Sequence, residues 1–594
     1  MGHPLACRDR RSMSRLAVDF GARFADFVAW DDAGLRILKR PVSGDMAADL
    51  VAGLEALELE AERLQELRLV TTAPLNALLA RRPMPVALLS TRGFGDTLRL
   101  GRQNRAALYD PVARSPAPVF LVAPEDSHEI GGRLDATGAE LAPLDPADIA
   151  AAIAGLRARE VRAVAICLLF AHVNPAQELA LAEAIRAALP EVSLSLSHQV
   201  DPAPREYERT VSVLSDAWLA ARMDAPLAAV RAALAARGFA GELLFGDGRG
   251  VLVSDAAARA HRAILLSGAP AAAARAGADL SADGVVIAAD IGSLSADMST
   301  GRGGQPGMSE TGLLAGVPLR EACTDIESIA LGGTRRVGTG PRGLNFDVDE
   351  GPRLDDALAA LGRLPDAGVW SAPFSPEAVV AAAADRMAYA LTRYATRRNI
   401  DPGRASLAVM GGTGALLAAD IAAAMGLERV LLPRAPGASG AIGLMQAARR
   451  SEAFARVDLG LEALSAEALD ALLDRLEGAC DGSGPLVYAL SLAARRQMHA
   501  MPLILGARPA SGAEIGEAFA AGFRAEFGIA PPGPGYLFSI AVYRDTRGPV
   551  PPMAELGDGA ATGLIATEAG AIWCPEGWRL SRTDTAYRLE RSAR

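Results

Sequence analysis

V-D-F-G-A-R-F-A-D (18–26) and A-D-I-G-S-L-S-A-D (289–297) align position by position. Both read apolar, Asp, apolar, Gly, small, two variable positions, Ala, Asp, and no other repeat in the chain is as clear. A repeat says that one structural unit occurs twice, so it is read before anything else. Short apolar runs at 16–20 and 285–290 precede the two glycines, and the first copy continues into a second run at 27–30. The spacing predicts strand, turn, strand. Two readings of the acids are open. Asp19, Asp26, Asp290 and Asp297 are the sort of residue that caps ordinary turns. Equally, the N–H groups of a glycine turn cradle an anion, and acids at its edge hold Mg²⁺. The second reading makes the four acids catalytic, with Asp19 and Asp290 as Mg²⁺ ligands and Gly21, Arg23, Gly292, Ser293 and Ser295 around phosphate.

Outward from the repeat the chain alternates strands and helices, which predicts an α/β sheet protein. A third turn, L-A-V-M-G-G-T-G (407–414), runs from a strand into a helix at 415–426. Gly411, Gly412, Thr413 and Gly414 there suit a nucleoside beside the phosphates. Two opposed turns and a third in this order are the logic of a two-lobed actin/hexokinase-like (ribonuclease H-like) ATPase fold. The leucine stripe of 47–67 predicts one helix, 86–90 and 161–170 predict buried strands, and 207–237 predicts a long helix. The expected organisation is a disordered leader (1–14), an N-terminal lobe (15–195), a core lobe (196–450) and a smaller C-terminal α+β domain (451–594).

Composition removes several classes. The 594 residues carry a net charge of −10, against the clustered positive charge that nucleic acid requires. No window of about 20 residues is apolar and free of charge, so no membrane span is expected. Lys39 is the one lysine, and no glycine-rich loop precedes it. That leaves no P-loop lysine and no Schiff-base candidate elsewhere, since arginine keeps its proton. Cysteines at 7, 167, 323, 480 and 574 are odd in number and far apart, as in a reducing cytoplasm, without zinc spacing. The expectation is a cytoplasmic chain without a signal peptide.

Further stretches carry a family resemblance. T-T-A-P-L-N-A-L-L-A-R-R (71–82), V-A-L-L-S-T-R-G-F-G-D-T-L-R-L-G-R-Q-N-R (86–105), P-R-E-Y-E-R-T (204–210), L-L-S-G-A-P-A-A (265–272) and P-G-A-S-G-A-I-G-L (436–444) resemble the A-type subunits of the hydantoinase/5-oxoprolinase family, which includes acetone and acetophenone carboxylase subunits. The resemblance runs from about 16 to 447. It implies ATP and Mg²⁺ as cofactors and a small cyclic amide or ketone as substrate. A B-type subunit is the implied partner, with a homodimer as a further possibility. The implied activity is ATP-dependent opening of a cyclic amide; a ketone carboxylase subunit or a non-catalytic subunit are the alternatives.

The turns depart from the family. Where relatives carry D-I-G-G-T-F-T-D and D-M-G-G-T-S-T-D, this chain keeps all four acids and one glycine per turn but loses the second glycine and both threonines. Each lost hydroxyl–phosphate bond removes about 1.5–3 kcal/mol, and micromolar affinity is only about 8 kcal/mol, so a weakened ATP site is expected. Arg23 either binds phosphate bidentately or pairs with Asp26 or Asp290. Arg92, Arg102 and Asn104 in a polar cluster, and Asp325, Gly332 and Gly333 downstream, are candidate substrate or cleft residues. Arg205–Arg209 reads as a structural knot at a helix start.

Overall fold

The computed structural model describes residues 14–31, 34–104, 109, 112, 117–281, 284–309, 312–314, 316–320, 322–341, 343–364, 370–494, 497, 500–547, 562–583 and 586–592. The expected leader therefore lies outside the described residues, save Ser14, which opens the first strand. The chain divides into two compact units. One comprises Met1–Val200, Glu206–Ala447 and Pro549–Arg594; the other comprises Asp201–Arg205 and Ala448–Gly548.

In the larger unit the first sheet contains β1 (Ser14–Phe20), β2 (Phe24–Asp31), β3 (Gly34–Pro41), β4 (Leu64–Thr71), β5 (Glu242–Gly246) and β6 (Leu252–Ser254), in the order β6-β5-β4-β1-β2-β3. The meander β1-β2-β3 is antiparallel, while β1-β4 and β4-β5 are parallel. A second sheet contains β7 (Val285–Ile291), β8 (Ala296–Arg302), β9 (Ser406–Met410), β10 (Arg429–Pro433), β11 (Trp578–Arg582) and β12 (Ala586–Arg591). Here a short strand at Gln305–Pro306, then β8, β7, β9 and β10, repeat the antiparallel, antiparallel, parallel, parallel order of β3-β2-β1-β4-β5. The nine-residue repeat thus marks a duplicated five-stranded unit, and each copy has its own core. Leu16, Val18 and Phe27 pack in the first, and Ile287, Ala289 and Val409 in the second.

Residues 86–196 form an insertion with a four-stranded parallel sheet, Val86–Thr91 and Ala163–Cys167 at its centre, covered by helices Pro146–Ala158 and Ala176–Ala188. The chain leaves it through the long helix Glu206–Ala235. Among the described residues no helix is long and apolar enough to cross a membrane.

The predicted helix over 47–67 is two elements. The helix is Met46–Ala56, with Asp45 as its N-cap, and it stops where Glu58 takes a left-handed φ of 52°. Residues 64–71 are β4, in register with β1. A run of spaced leucines suits a buried strand as well as a helix face, and here sheet pairing wins over local propensity.

The smaller unit is an antiparallel sheet, Met501–Leu505, Leu486–Ala494, Gly535–Thr546 and Arg449–Gly460 in that order. Helices Ala466–Gly478 and Gly512–Phe527 cover it over a core of Leu469, Leu473, Phe519 and Ile540. It is α+β, but narrower than 451–594: β11 and β12 return to the second sheet of the larger unit, where β12 pairs with β10.

Candidate functional site

Each repeated segment folds as a hairpin with a two-residue tip. Gly21 N–H donates to Phe24 O at 2.9 Å, and Gly292 N–H donates to Ser295 O at 3.0 Å. The tips are Ala22-Arg23 and Ser293-Leu294. The glycine N–H groups close their own turns and are therefore not the phosphate donors the sequence suggested. The acids are cross-strand neighbours, Asp19 opposite Asp26 and Asp290 opposite Asp297. Alternation along a strand then sends Ala25 and Ala296 the other way, into the two cores. A threonine at 25 or 296 would face a core, so only positions 23 and 294 lie where a lost hydroxyl could have met phosphate.

The two hairpins face one another. Burial, then the charges of Asp26 and Asp290, push the Asp19 carboxyl up to about 8. Burial, then Asp297 and Asp26, push Asp290 up to about 7. Asp26 is raised by burial against the opposing Lys39, and Asp297 by burial against a 2.5 Å hydrogen bond donated by Ser328 Oγ. Both Asp19 and Asp290 keep a small opening to solvent. Carboxyls tuned to 7–8 hold and release protons at neutral pH, the property general acid–base chemistry needs.

Two glycines let these acids sit where they do. Gly411, at a φ of 83°, caps the helix Gly412–Ala424, and a Cβ on it would lie 2.6 Å from Asp290 Oδ1 and 2.2 Å from Ile291 O. A Cβ on Gly440, near the start of the helix Ser439–Gln446, would lie 2.0 Å from Asp19 Oδ2. Gly412 faces open space, Thr413 is buried, and Gly414 packs beside Val409 and Ile291.

The sequence reading passed over Lys39 and Gly440 as site residues. Lys39 is the register partner of Asp26 on β3, and its Nζ donates to Asp26 Oδ1 at 2.6 Å and to Gly437 O at 2.8 Å. Continuing the hairpin register one strand further finds it. Lys39→Met is expected to raise the proton affinity of the acids and to cost about 1 kcal/mol, discounted because the pair is partly solvated. Urea midpoints at pH 5 and 8 check this: the variant should lose more than wild type at pH 8, where the acids are charged.

Arg23 pairs with neither Asp26 nor Asp290. It lines a cavity of about 320 Å³ with Thr334, Arg336 and Arg353. Gly332 and Gly333 do meet the second turn: a Cβ on Gly332 would lie 2.6 Å from Leu294 N, and Gly333 N–H donates to Gly292 O at 3.1 Å. The other candidates are held elsewhere. Arg92 bonds Asp145 and Asp148 of the insertion, Arg102 bonds Glu208 at 2.9 Å, and Arg398 holds Asp325 through both carboxylate oxygens. Asn104 is exposed. Arg209 is fully buried, bonded to Leu168 O at 3.1 Å and to Ser197 Oγ beside Glu178, which is the structural knot expected.

The residues fit the implied cofactors in part. Asp19 Oδ1 is buried with no hydrogen-bond partner, and Asp290 is close enough to shift its proton affinity. Among the described residues no group of three or more His, Cys, Asp or Glu is arranged to hold a metal. That suits Mg²⁺, which commonly takes one or two carboxylates and completes its shell with phosphate and water, and it does not suit an all-protein cage. The open start of the helix Gly412–Ala424 suits an anionic or nucleoside group.

Comparison with known proteins agrees with this architecture. Residues 15–189 match the hydantoinase/oxoprolinase N-terminal region, and 209–358 with 376–453 match hydantoinase/oxoprolinase. An uncharacterised protein of Methanocaldococcus jannaschii is 26% identical over 73% of this chain and 72% of its own length. The caprolactamase alpha subunit of Pseudomonas jessenii is 30% identical over 59% of this chain and 55% of its own. The acetophenone carboxylase gamma subunit of Aromatoleum aromaticum is 30% identical over 39% of this chain and 35% of its own. Among solved structures, a nucleotide-free acetone carboxylase superposes with a TM-score of 0.80 at 17% identity, covering 98% of this chain and 99% of that one. The ATP-dependent caprolactamase of P. jessenii superposes with a TM-score of 0.75 at 23% identity, covering 98% and 100%. With matches spread over both halves of the duplication, the chain belongs to the hydantoinase/oxoprolinase family.

Proposed function

We propose that this chain is the nucleotide-cleft subunit of an ATP-dependent amidohydrolase that opens a small cyclic amide together with a B-type partner subunit. The observation that carries the reading is the convergence of four acids from two equivalent hairpins, with Asp19 and Asp290 sharing one electrostatic environment. An amide oxygen leaves poorly, and phosphorylation turns it into a good leaving group. Catalysis of such a transfer rests on positioning and on neutralising charge. Asp19 and Asp290 would hold Mg²⁺, whose chemistry is to neutralise the phosphate oxygens. Gly411 and Gly440 keep the space around these carboxyls clear, and Lys39 fixes Asp26. Kinship with a caprolactamase subunit, which matches over 59% of this chain, supports the cyclic amide; an acetophenone carboxylase subunit matches at the same 30% identity over 39%.

Phosphate release from Mg-ATP tests the proposal, with caprolactam, 5-oxoproline, hydantoin and acetone offered in turn beside a B-type subunit of the family. A cyclic amide should stimulate release, and Asp290→Asn should reduce it at least a hundredfold. The second reading, a non-catalytic subunit, is favoured by the Lys39–Asp26 pair, which neutralises the cleft from within. No release with any substrate, and no thermal shift with millimolar ATP, would establish that reading instead.

A further inference from the structure

We infer that Arg434, Arg582 and Tyr587 form a buried oxyanion site, fitted to a phosphate group and separate from the two hairpins. One corner of the second sheet places all three, where β10 ends and the β11–β12 turn begins. Tyr587 is the register partner of Leu432 on β10 and of Arg582 on β11, and Ala586 is that of Pro433. Directly opposed side chains share a face of the sheet, so Arg582 lies beside Tyr587, its guanidinium carbon 5.2 Å from the ring centre. Leu432 and Tyr587 pack in the second core, whereas Ala435 packs in another cluster with Ala438 and Ala441. Alternation therefore puts Arg434 on the face of Leu432 and Tyr587. The middle strand of this corner, β12, is three strands from β7, or about 14 Å at the usual spacing.

The backbone around the corner is tied down. Thr583 N–H donates to Ala586 O at 2.9 Å and Ala586 N–H to Thr583 Oγ1 at 3.0 Å, closing the turn beside Arg582. Beyond Arg434, Pro436 O accepts from Gly411 N–H at 2.8 Å and Gly437 N–H donates to Ala569 O at 3.0 Å. Donors held in place before a ligand arrives lose little freedom on binding it.

Donors without acceptors mark the corner as a site. Arg434 is 5% exposed and Tyr587 1%, yet Arg434 Nη1, Arg582 Nη1 and Tyr587 Oη are all buried with no hydrogen-bond partner. Among the described residues neither arginine is in an ion pair. Buried polar groups are satisfied as a rule and buried charges are paired, so three orphaned donors in one corner call for a shared acceptor. The acids of the surrounding elements do not supply it. Asp420 holds Arg363, Glu590 lies by Arg588 on the opposite face of β12, and Glu568 of the hairpin Gly563–Cys574 pairs with neither arginine. Asp584, in the turn, lies outside the described residues. Two guanidiniums and a hydroxyl offer more donors than the two oxygens of a carboxylate take, and they match the oxygens and the charge of phosphate. Arg434 also opens the loop that carries Gly437 to Lys39 and Gly440 to Asp19. Phosphate bound here steadies the segment that holds the acids of the cleft in place. The site stands whether or not the chain opens a cyclic amide.

Titration calorimetry of sodium phosphate into the full chain, at constant ionic strength and without nucleotide or magnesium, tests this. Binding should be submillimolar and should persist at moderate salt, because buried charges are screened little. Arg582→Gln should weaken it at least tenfold and Tyr587→Phe, which keeps the ring, severalfold, while Asp19→Asn should leave it unchanged. Phosphate should raise the thermal midpoint of wild type and leave that of Arg434→Met where it is. Glycerol 3-phosphate binding as tightly as phosphate identifies a phosphorylated metabolite as the source; weaker or absent binding identifies free phosphate. The proposal is overturned if phosphate does not bind, if acetate binds as tightly, or if Arg582→Gln or Tyr587→Phe binds phosphate as wild type does. Loss of binding in Asp19→Asn would also overturn it, by placing the anion between the hairpins. Amide-dependent ATP hydrolysis without phosphate binding at this corner would sink only this site, and the reverse result only the proposed function.

Discussion

Asp19→Asn is expected to make the protein more stable near pH 8 and to abolish nucleotide-driven turnover. The sign follows from the direction of the shift. An aspartate releases its proton near 3.8 when unfolded, whereas burial and the charges of Asp26 and Asp290 hold the Asp19 proton up to about 8 in the fold. Below about pH 4 both states are protonated and the group contributes nothing. Between about 4 and 8 the folded chain holds a proton that the unfolded chain has given up, so stability falls as pH rises, by up to about 1.4 kcal/mol per pH unit. Above about 8 the loss is complete and constant. Asparagine has the same shape and no charge to desolvate, so it removes this penalty. Structural relaxation absorbs part of any such shift, and a gain of about 2 kcal/mol at pH 8, shrinking towards zero at pH 4, is the expected result. Urea midpoints for wild type and variant across pH 4–9 measure it. Equal midpoints at pH 8 would show that Asp19 is ionised at no cost. Turnover should fall by about a thousandfold, because the neutral side chain neither holds a cation nor exchanges a proton. A site that sacrifices stability for function in this way is where replacing a polar group stabilises a fold.

The acids were legible because a strand ladder preserves register. Asp at positions 2 and 9 of a nine-residue repeat with a glycine between them has to form a cross-strand pair when the loop is two residues long. The same ladder shows why the loss of threonine at 25 and 296 was misread: a motif compared letter by letter carries no face, and alternation places those positions in the cores. Gly440 belonged to a quoted motif, yet nothing local ties residue 440 to residue 19. Such a contact depends on how the helix Ser439–Gln446 packs against β1, which is a tertiary outcome. Arg23 was expected to seek the nearest acids, but Lys39 is already bonded to Asp26, which leaves Arg23 to the cavity. The boundary at 451 was visible as a change of composition, whereas the return of β11 and β12 to the second sheet depends on long-range pairing that composition does not encode.

Gly443→Ala and Gly440→Ala, one helical turn apart on the same helix, are expected to fail in different ways. At Gly443 the added Cβ would lie 1.8 Å from Ala272 O, in the backbone of the helix Gly268–Asp279. No rotamer relieves a clash with backbone, so the two helices have to separate, and the small residues between them (Ala269, Ala272, Ala441) lose contact together. Overpacking commonly costs about 1–3 kcal/mol, and a rigid backbone obstacle belongs at or above the top of that range. At Gly440 the obstacle is the carboxyl end of Asp19, 2.0 Å away, which a change of χ1 moves aside. Stability should fall by about 1 kcal/mol or less, while Asp19 swings off the position it shares with Asp290 and turnover drops at least a hundredfold. Gly478→Ala in the smaller unit is the control: it ends the helix Ala466–Gly478 with nothing near its Cβ and should be neutral or slightly stabilising. Thermal unfolding and phosphate release on the three variants separate packing from site. Equal destabilisation by Gly440→Ala and Gly443→Ala would mean that Asp19 is as immovable as backbone, held by its surroundings strongly enough that its position, and not only its charge, is part of the fold.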